Sequence, residues 1–108
     1  MSTPVSSIRN LGPATEAAFA RAGITSAEEL RELGTDAAYA KLLAAGEKPH
    51  FIGYYVIEMG LQGRPWNDCR GDEKARLRLR FDALVARHFD RDLSGLERIL
   101  DEIGVVAR

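Results

Sequence analysis

The chain has 108 residues, 45% of them hydrophobic, a formal net charge of -1 and a single cysteine. These values suit one domain that buries roughly two-thirds of its unfolded surface, and they exclude an internal disulfide and a globally basic protein that attracts nucleic acid by net charge alone. No stretch resembles a signal peptide or reaches the roughly 20 apolar residues of a membrane span, so we expect a cytoplasmic protein without membrane contact.

The N-terminal residues predict a short helix. Thr3 followed by Pro4 is a cap and first-turn signature, and the spacing of Val5, Ile8 and Leu11 directs these three side chains inward. No window of the chain shows the period-two alternation of a β-strand. The sequence therefore predicts an all-α fold.

Glycines and capping residues predict the next helix boundaries. A helix over residues 13–22 should end at a left-handed Gly23, with Ile24 folding back as its apolar contact. Thr25 and Ser26 each have a glutamate three residues later, which predicts a capping box in either register before a helix that ends at Gly34.

Three further helices complete the prediction for the main domain. The first, over residues 36–45, carries Tyr39, Leu42 and Leu43 on one side. The second, over residues 51–61, is apolar almost all round and should be central. Its two glycines, Gly53 and Gly60, are expected to let a neighbouring backbone approach. The third is a long helix that opens at Asp72, with these inward positions: Leu77, Phe81, Leu84, Val85 and His88.

A last helix is predicted over residues 94–103, opened by a capping box of Ser94 and Glu97. Its apolar stripe consists of Leu96, Ile99, Leu100 and Ile103. We expect residues 1–90 to form the helical domain and residues 91–108 an arm. A helix of about ten residues is marginal alone in water, so the arm packs either on its own domain or on a second copy in a homodimer.

The turn Asn10-Leu11-Gly12-Pro13 has two interpretations. In a helix-hairpin-helix, a Gly-hydrophobic-Gly turn binds a DNA phosphate through backbone N–H groups without base readout. Gly12 and Pro13 fit its second half, and Asn10 is the next-best residue after glycine for a left-handed backbone. The basic residue expected after the proline is missing, and Glu16 would repel a phosphate. The other interpretation is a turn that only packs helices.

The long helix lies in the one segment of the chain with an excess of basic side chains. Residues 70–91 contain seven basic and four acidic groups. Helical spacing predicts that Arg76, Arg80 and Arg87 share one face, with Lys74 and Arg78 adjacent. These cations fit either a nucleic-acid backbone or an acidic protein partner, or they form a solvated face paired with Glu73 and Asp82.

The LGP turn, the segment AGITSAEEL and the connection LQGRPWND before GDEKARL together resemble the C-terminal domain of TfoX/Sxy proteins, over roughly residues 5–87. The resemblance implies a helix-hairpin-helix-like core and a role in regulating competence for DNA uptake. In those regulators the domain usually follows an N-terminal α/β domain. That domain is missing from this sequence, which favours a free-standing paralogue over a direct transcriptional activator.

The remaining conspicuous residues do not form a catalytic pattern. Trp66 either closes the base of the core with its N–H on a nearby carbonyl, which we favour, or anchors an interface beside Arg64. His50, Cys69 and His88 lack the spacing of a zinc site, and no nucleophile or phosphate-loop motif is present. We therefore expect a regulatory binding module without metal, cofactor or catalysis, or alternatively a weak, sequence-independent DNA-binding domain that uses the turn and the basic helix.

Overall fold

Helices make up the regular structure. The computed structural model describes the backbone of residues 2–102 and the side chains of residues 2–89, and this part contains no strand, which confirms the predicted all-α class. The elements in chain order are a first 3-10 turn (Val5–Ser7), α1 (Pro13–Arg21), α2 (Ala27–Ala44), α3 (Phe51–Leu61), a second 3-10 turn (Trp66–Asp68) and α4 (Gly71–Glu102).

The N-terminal segment is shorter in regular structure than predicted. Only the 3-10 turn Val5–Ser7 forms, because Ile8 already has extended backbone angles and ends it. The inward direction of the apolar side chains is nevertheless confirmed, since Val5, Ile8 and Leu11 are all buried. The segment is held to α2 through Thr3, whose backbone N–H and hydroxyl both donate to the carboxylate of Glu28.

The caps around α1 and α2 follow the sequence signals. Gly23 adopts a left-handed φ of 88°, and the N–H of Ile24 donates to the carbonyl of Phe19 at 2.8 Å, which closes α1 as predicted. Of the two capping registers, the structure has the one at Ser26, whose hydroxyl accepts from the N–H of Glu29 at 3.1 Å.

A break at Gly34 divides α2. Its φ of 81° and ψ of 170° are not helical, so the two helical stretches meet there at a kink, at the position where the sequence predicts a helix end. The second stretch buries Tyr39, Leu42 and Leu43, as expected. The kink also brings Asp36 to the side of α2 that meets α3 and α4.

The centre of the fold is an aromatic cluster between α2, α3 and α4. The ring of Tyr54, which is fully buried, lies 5.5 Å from that of Tyr39 and 5.6 Å from that of Phe81. Its hydroxyl donates to Asp36, and Arg80 donates to the same carboxylate oxygen at 2.9 Å. One polar group from each of three helices thus meets beside the core.

The two glycines of α3 differ in their surroundings. A Cβ at Gly60 would collide with the backbone carbonyl of Arg9 and press on Ile8, which confirms the predicted close approach there. A Cβ at Gly53 would meet nothing nearer than the Cβ of His50 at 3.9 Å. The prediction of close approach is therefore wrong for Gly53, which lines an open groove.

The C-terminal arm is a continuation of α4. The sequence predicts a separately capped helix from Ser94, but the backbone is helical straight through Ser94 and Gly95 to Glu102. The side chains of Leu96, Ile99 and Leu100, and Ile103 altogether, lie outside the described part, and the predicted division after residue 90 stays a prediction. Within residues 2–102, no helix combines the length and apolar character needed to cross a bilayer.

The contrast between the two glycines predicts opposite effects of the same substitution. Gly60→Ala should lower the free energy of unfolding by about 1 to 3 kcal/mol, because the backbone of Arg9 must move. Gly53→Ala should raise it by roughly 0.5 to 1 kcal/mol, because alanine favours a helix and meets no obstacle. Urea denaturation of both variants measures the two changes. Equal effects of the two substitutions would contradict the assigned contacts.

Candidate interaction surface

The predicted turn forms with a left-handed residue at its centre. Asn10 has a φ of 73° and, in the described part, is the one residue other than glycine with a positive φ. Leu11 follows with a buried side chain, and Gly12 then serves as the N-cap of α1 in an extended conformation. The expectation that asparagine takes the place of a glycine here is confirmed.

The side chain of Asn10 joins the turn to the connection between α3 and α4. Its amide N–H group donates to the carbonyl of Arg64 at 2.9 Å and, at 3.4 Å, to that of Val56. Its oxygen accepts from the backbone N–H of Trp66 at 3.2 Å. Asparagine therefore has two roles at this position, because a glycine would allow the backbone conformation but could not make these bonds.

A carboxylate lies in the first turn of the helix that follows. Glu16 accepts from the backbone N–H of Ser6 at 3.0 Å and from its hydroxyl at 2.8 Å, and these bonds lower the pKa of Glu16. Its negative charge is thus fixed near the N-terminus of α1. On the other side, a Cβ at Gly12 would meet nothing within 4 Å, so the turn itself is open to solvent.

Trp66 lies at the surface. The sequence favours an indole that closes the base of the core, but the residue is 52% exposed, so that prediction is wrong. Its position is set by its backbone, which begins the second 3-10 turn after Pro65 and donates to Asn10. The structure therefore brings together two features that are 56 residues apart in the chain, the turn and the exposed tryptophan.

A groove of about 320 Å³ borders the turn on the side of α1 and α3. We call it the α1–α3 groove. Apolar side chains dominate its walls, with Thr15, Glu47 and Lys48 as its polar members. Glu47 forms an ion pair with Arg21 at 3.4 Å. The other lining residues are Leu11, Ala14, Ala18, Tyr39, Leu42, Gly53, Val56 and Ile57.

The cations of α4 lie on two flanks of the helix. Lys74 Nζ is 5.3 Å from the centre of the Tyr55 ring, and Arg78 Cζ is 5.1 Å from that of Phe51, so both contact α3. Arg78 also pairs with Asp82 at 3.0 Å, as the solvated-face interpretation expects. These two cations are therefore separated from the flank that faces α2.

The α2-facing flank is organised by Asp36. Although burial opposes its ionisation, hydrogen bonds from Arg80 and Tyr54 hold the pKa of Asp36 below its ordinary value. Arg87 lines a cavity with the same aspartate, and both Arg76 and Arg87 are exposed. The long helix thus presents its basic side chains in separate groups, and at least Arg78 and Arg80 are already paired with carboxylates.

Glu73 does not pair with the described cations of α4. The sequence predicts local pairing along α4, but its carboxylate binds Arg64 through two bonds of 2.7 and 2.8 Å. Arg64 belongs to the connection that also carries Trp66, so this pair anchors that connection to the start of α4. The hydrogen bonds from Arg64 lower the pKa of Glu73.

The residues suited to metal binding or nucleophilic chemistry do not come together in the described part of the chain. Across residues 2–89, no group of three or more His, Cys, Asp or Glu side chains is arranged to hold a metal ion. Cys69 is buried, and its burial raises the pKa of its thiol. His50 caps α3, while the His88 ring lies 5.4 Å from that of Phe89 near the end of the described side chains.

Comparison with known proteins identifies the family. The sequence model of the TfoX C-terminal domain matches residues 1–81. The chain belongs to this family. The matched range contains the turn, Trp66 and the first part of α4, and its last residue is Phe81 of the aromatic cluster. Neither the curated proteins nor the solved structures gave a match.

Sequence reasoning missed the α1–α3 groove and the partnership of Asn10 with Trp66. Both depend on contacts between segments that are distant in the chain. One local signal was available, since Gly53 is a glycine inside a helix and costs about 1 kcal/mol there relative to alanine. That signal could not distinguish a tight contact, as at Gly60, from an open groove.

Two substitutions at Asn10 separate its backbone role from its side-chain role. Asn10→Gly should lower the free energy of unfolding by about 1 to 3 kcal/mol, because it removes the bonds to Arg64 and Trp66 and keeps the left-handed turn. Asn10→Ala should lower the free energy of unfolding by about 1 to 2 kcal/mol more than Asn10→Gly does, because a positive φ is unfavourable for alanine. Thermal and urea unfolding give both values, and a more stable alanine variant would contradict the assignment.

Proposed function

We propose that this chain is a non-catalytic binding module that recognises a partner protein and serves a regulatory role in the cytoplasm, in competence or transcription, as the TfoX resemblance implies. The observation that carries the proposal is the half-exposed Trp66 held beside the turn by Asn10. An indole offers a large contact area with few rotatable bonds, which suits an interface anchor. Its backbone is fixed before a partner arrives.

The α1–α3 groove extends this surface. Asn10 donates to the carbonyl of Val56, a residue that lines the groove, and accepts from the backbone N–H of Trp66, so it joins the two segments that carry the groove and the indole. A partner that covers Trp66 can place an apolar side chain into the groove. This combination of a protruding aromatic ring and an adjacent apolar recess is typical of protein recognition sites.

We propose no catalytic role because the carboxylates that are held in fixed positions already bind other residues of the fold. The carboxylates of Glu16 and Glu28 accept hydrogen bonds from the N-terminal segment, and Asp36 and Glu73 bind arginines. Each therefore stabilises the fold. A general acid or base also needs a concave site that approaches a substrate. Asp36 lines a cavity, but its carboxylate already accepts from Tyr54 and Arg80. Glu47 lines the α1–α3 groove and is paired with Arg21.

Substitution of the indole tests the proposed interface. Trp66→Ala should reduce nuclease-resistant capture of a protein partner from native lysate at least tenfold, because it removes the anchor. Its free energy of unfolding should fall by only about 1 to 2 kcal/mol, since about half of the residue is already in solvent, so the variant should remain folded. Leu33→Ala is the matched control, because Leu33 is also an exposed large apolar residue but lies on α2 outside the groove. Equal capture by both variants would reject the interface.

The second candidate function is sequence-independent DNA binding through the turn and α4. The open space at Gly12 favours it, because a phosphate can approach the backbone there. Glu16 opposes it by charge, and the pairing of Arg78 and Arg80 with carboxylates leaves fewer cations for a DNA backbone. We therefore rank it below protein recognition.

Any DNA binding should be weak, equal for duplexes of different sequence and steeply salt-dependent, because only phosphate contacts are involved. Gly12→Val should abolish it, and its fold should persist, since Gly12 has an extended backbone and open space. The double variant Arg76→Ala, Arg87→Ala should only weaken it. Titration of labelled duplexes at two salt concentrations checks this, and tight binding to one sequence would contradict it.

A further inference from the structure

The outward side of α4 carries a seam with coiled-coil spacing. Five described residues recur at alternating intervals of four and three: Ala75, Leu79, Asp82, Ala86 and Phe89. All five are exposed, including Leu79 at 71% and Phe89 at 47%. Alternation of four and three places residues at the a and d positions of successive heptads, which face a partner helix. We call this set the α4 seam.

The sequence continues the same spacing beyond the described side chains. The next positions in the series are 93, 96, 100 and 103, which are leucine, leucine, leucine and isoleucine. The α4 backbone remains helical to Glu102, which is 13 residues or about 20 Å beyond Phe89. Because α4 is one helix, this part extends along an axis that Leu77, Phe81 and Leu84 fix against the core. A continuous helix cannot fold back on its own domain.

The charges of α4 divide into two halves of opposite sign. Residues 71–89 have five basic and three acidic side chains, whereas residues 90–102 have two basic and five acidic ones. Two copies in parallel would place acidic half beside acidic half. Two antiparallel copies place the acidic half of each beside the basic half of the other, which is favourable.

We propose that α4 pairs with the α4 of a second copy in an antiparallel, two-stranded coiled coil along the α4 seam. The register centred near residue 91 sets the two charged halves beside each other and each a position opposite a d position, so that Ala86 of one copy faces Leu96 of the other. Asp82, paired with Arg78 at 3.0 Å, is the single polar residue of the described seam.

This dimer is separate from the proposed partner-binding site. Trp66 and the α1–α3 groove contain no residue of the α4 seam, so each copy keeps its surface available. A dimer would present two such surfaces, and the second contact to a repeated partner would gain from a high effective concentration. We therefore expect Leu79→Glu to lose dimerisation and Trp66→Ala to lose partner capture.

Light scattering and sedimentation of the full chain over a range of concentrations test the pairing. We expect a dimer, and we expect Leu79→Glu to be monomeric at concentrations where the parent chain is dimeric. Its thermal midpoint as a monomer should match that of the parent chain diluted to monomer, because Leu79 makes little contact with its own domain. Leu33→Glu is the control for an added charge and should remain dimeric. A monomeric parent chain, or a dimeric Leu79→Glu, overturns the proposal.

Disulfide cross-linking tests the orientation. Ala86→Cys and Leu96→Cys should not cross-link alone and should form a mixed disulfide when combined, because in an antiparallel pair centred near residue 91 residue 86 lies about 15 Å along the helix from its counterpart. The parent chain with its buried Cys69 provides the background. Efficient cross-linking of Ala86→Cys with itself indicates a parallel pair and overturns the proposal. A dimer that yields no mixed disulfide also overturns the proposal.

Discussion

The hydroxyl of Tyr54 imposes the constraint on which the rest of the structure depends. The side chain is fully buried, so its polar end must find a partner or lose the hydrogen bonds that water gives it in the unfolded chain. Asp36 accepts from it, and Arg80 accompanies that carboxylate. Burial and this bond raise the pKa of Tyr54 well above its ordinary value, so the hydroxyl remains a donor. The bond joins α3 to α2, and the ion pair of Arg80 with the same carboxylate adds α4.

The functional surface follows from this arrangement through α3. Ile8 and Arg9 pack directly against Gly60 of α3, because glycine has no side chain there. That contact sets the start of the turn, and the left-handed Asn10 then reaches Val56, Arg64 and Trp66. The exposed indole is therefore connected to the core by short contacts. A partner that binds Trp66 meets a surface whose conformational entropy has already been reduced by folding.

The two proposals assign different parts of the chain to different tasks. The residues around Asn10 and Trp66 belong to the segment that matches the TfoX C-terminal domain, whereas the α4 seam continues beyond residue 81, where that match ends. The buried side of α4 belongs to the core through Leu77 and Phe81, while its opposite side is apolar and exposed at Leu79. One helix can therefore complete a domain and join two copies of it, because its faces are independent.

Local features of the chain were determined by the sequence alone. The all-α class, the left-handed Asn10 and Gly23, the presence of a capping box before α2 and the extent of α3 each depend on a few neighbouring residues, whose backbone preferences act over a single turn. The sequence also indicated the family. These predictions succeed because a capping residue or a terminal glycine acts on backbone groups only a few positions away in the sequence.

The tertiary structure alone decided which of these elements share a surface. Trp66 is exposed, and its backbone N–H donates to Asn10, which is 56 residues away in the chain. Gly60 meets a neighbouring backbone and Gly53 an empty groove, although both are glycines of the same helix. The sequence left these points open because it does not specify which distant segment covers a given side chain. That is settled when Tyr54, Asp36 and Arg80 fix three helices together, and the packing of those helices determines which surface remains for a partner.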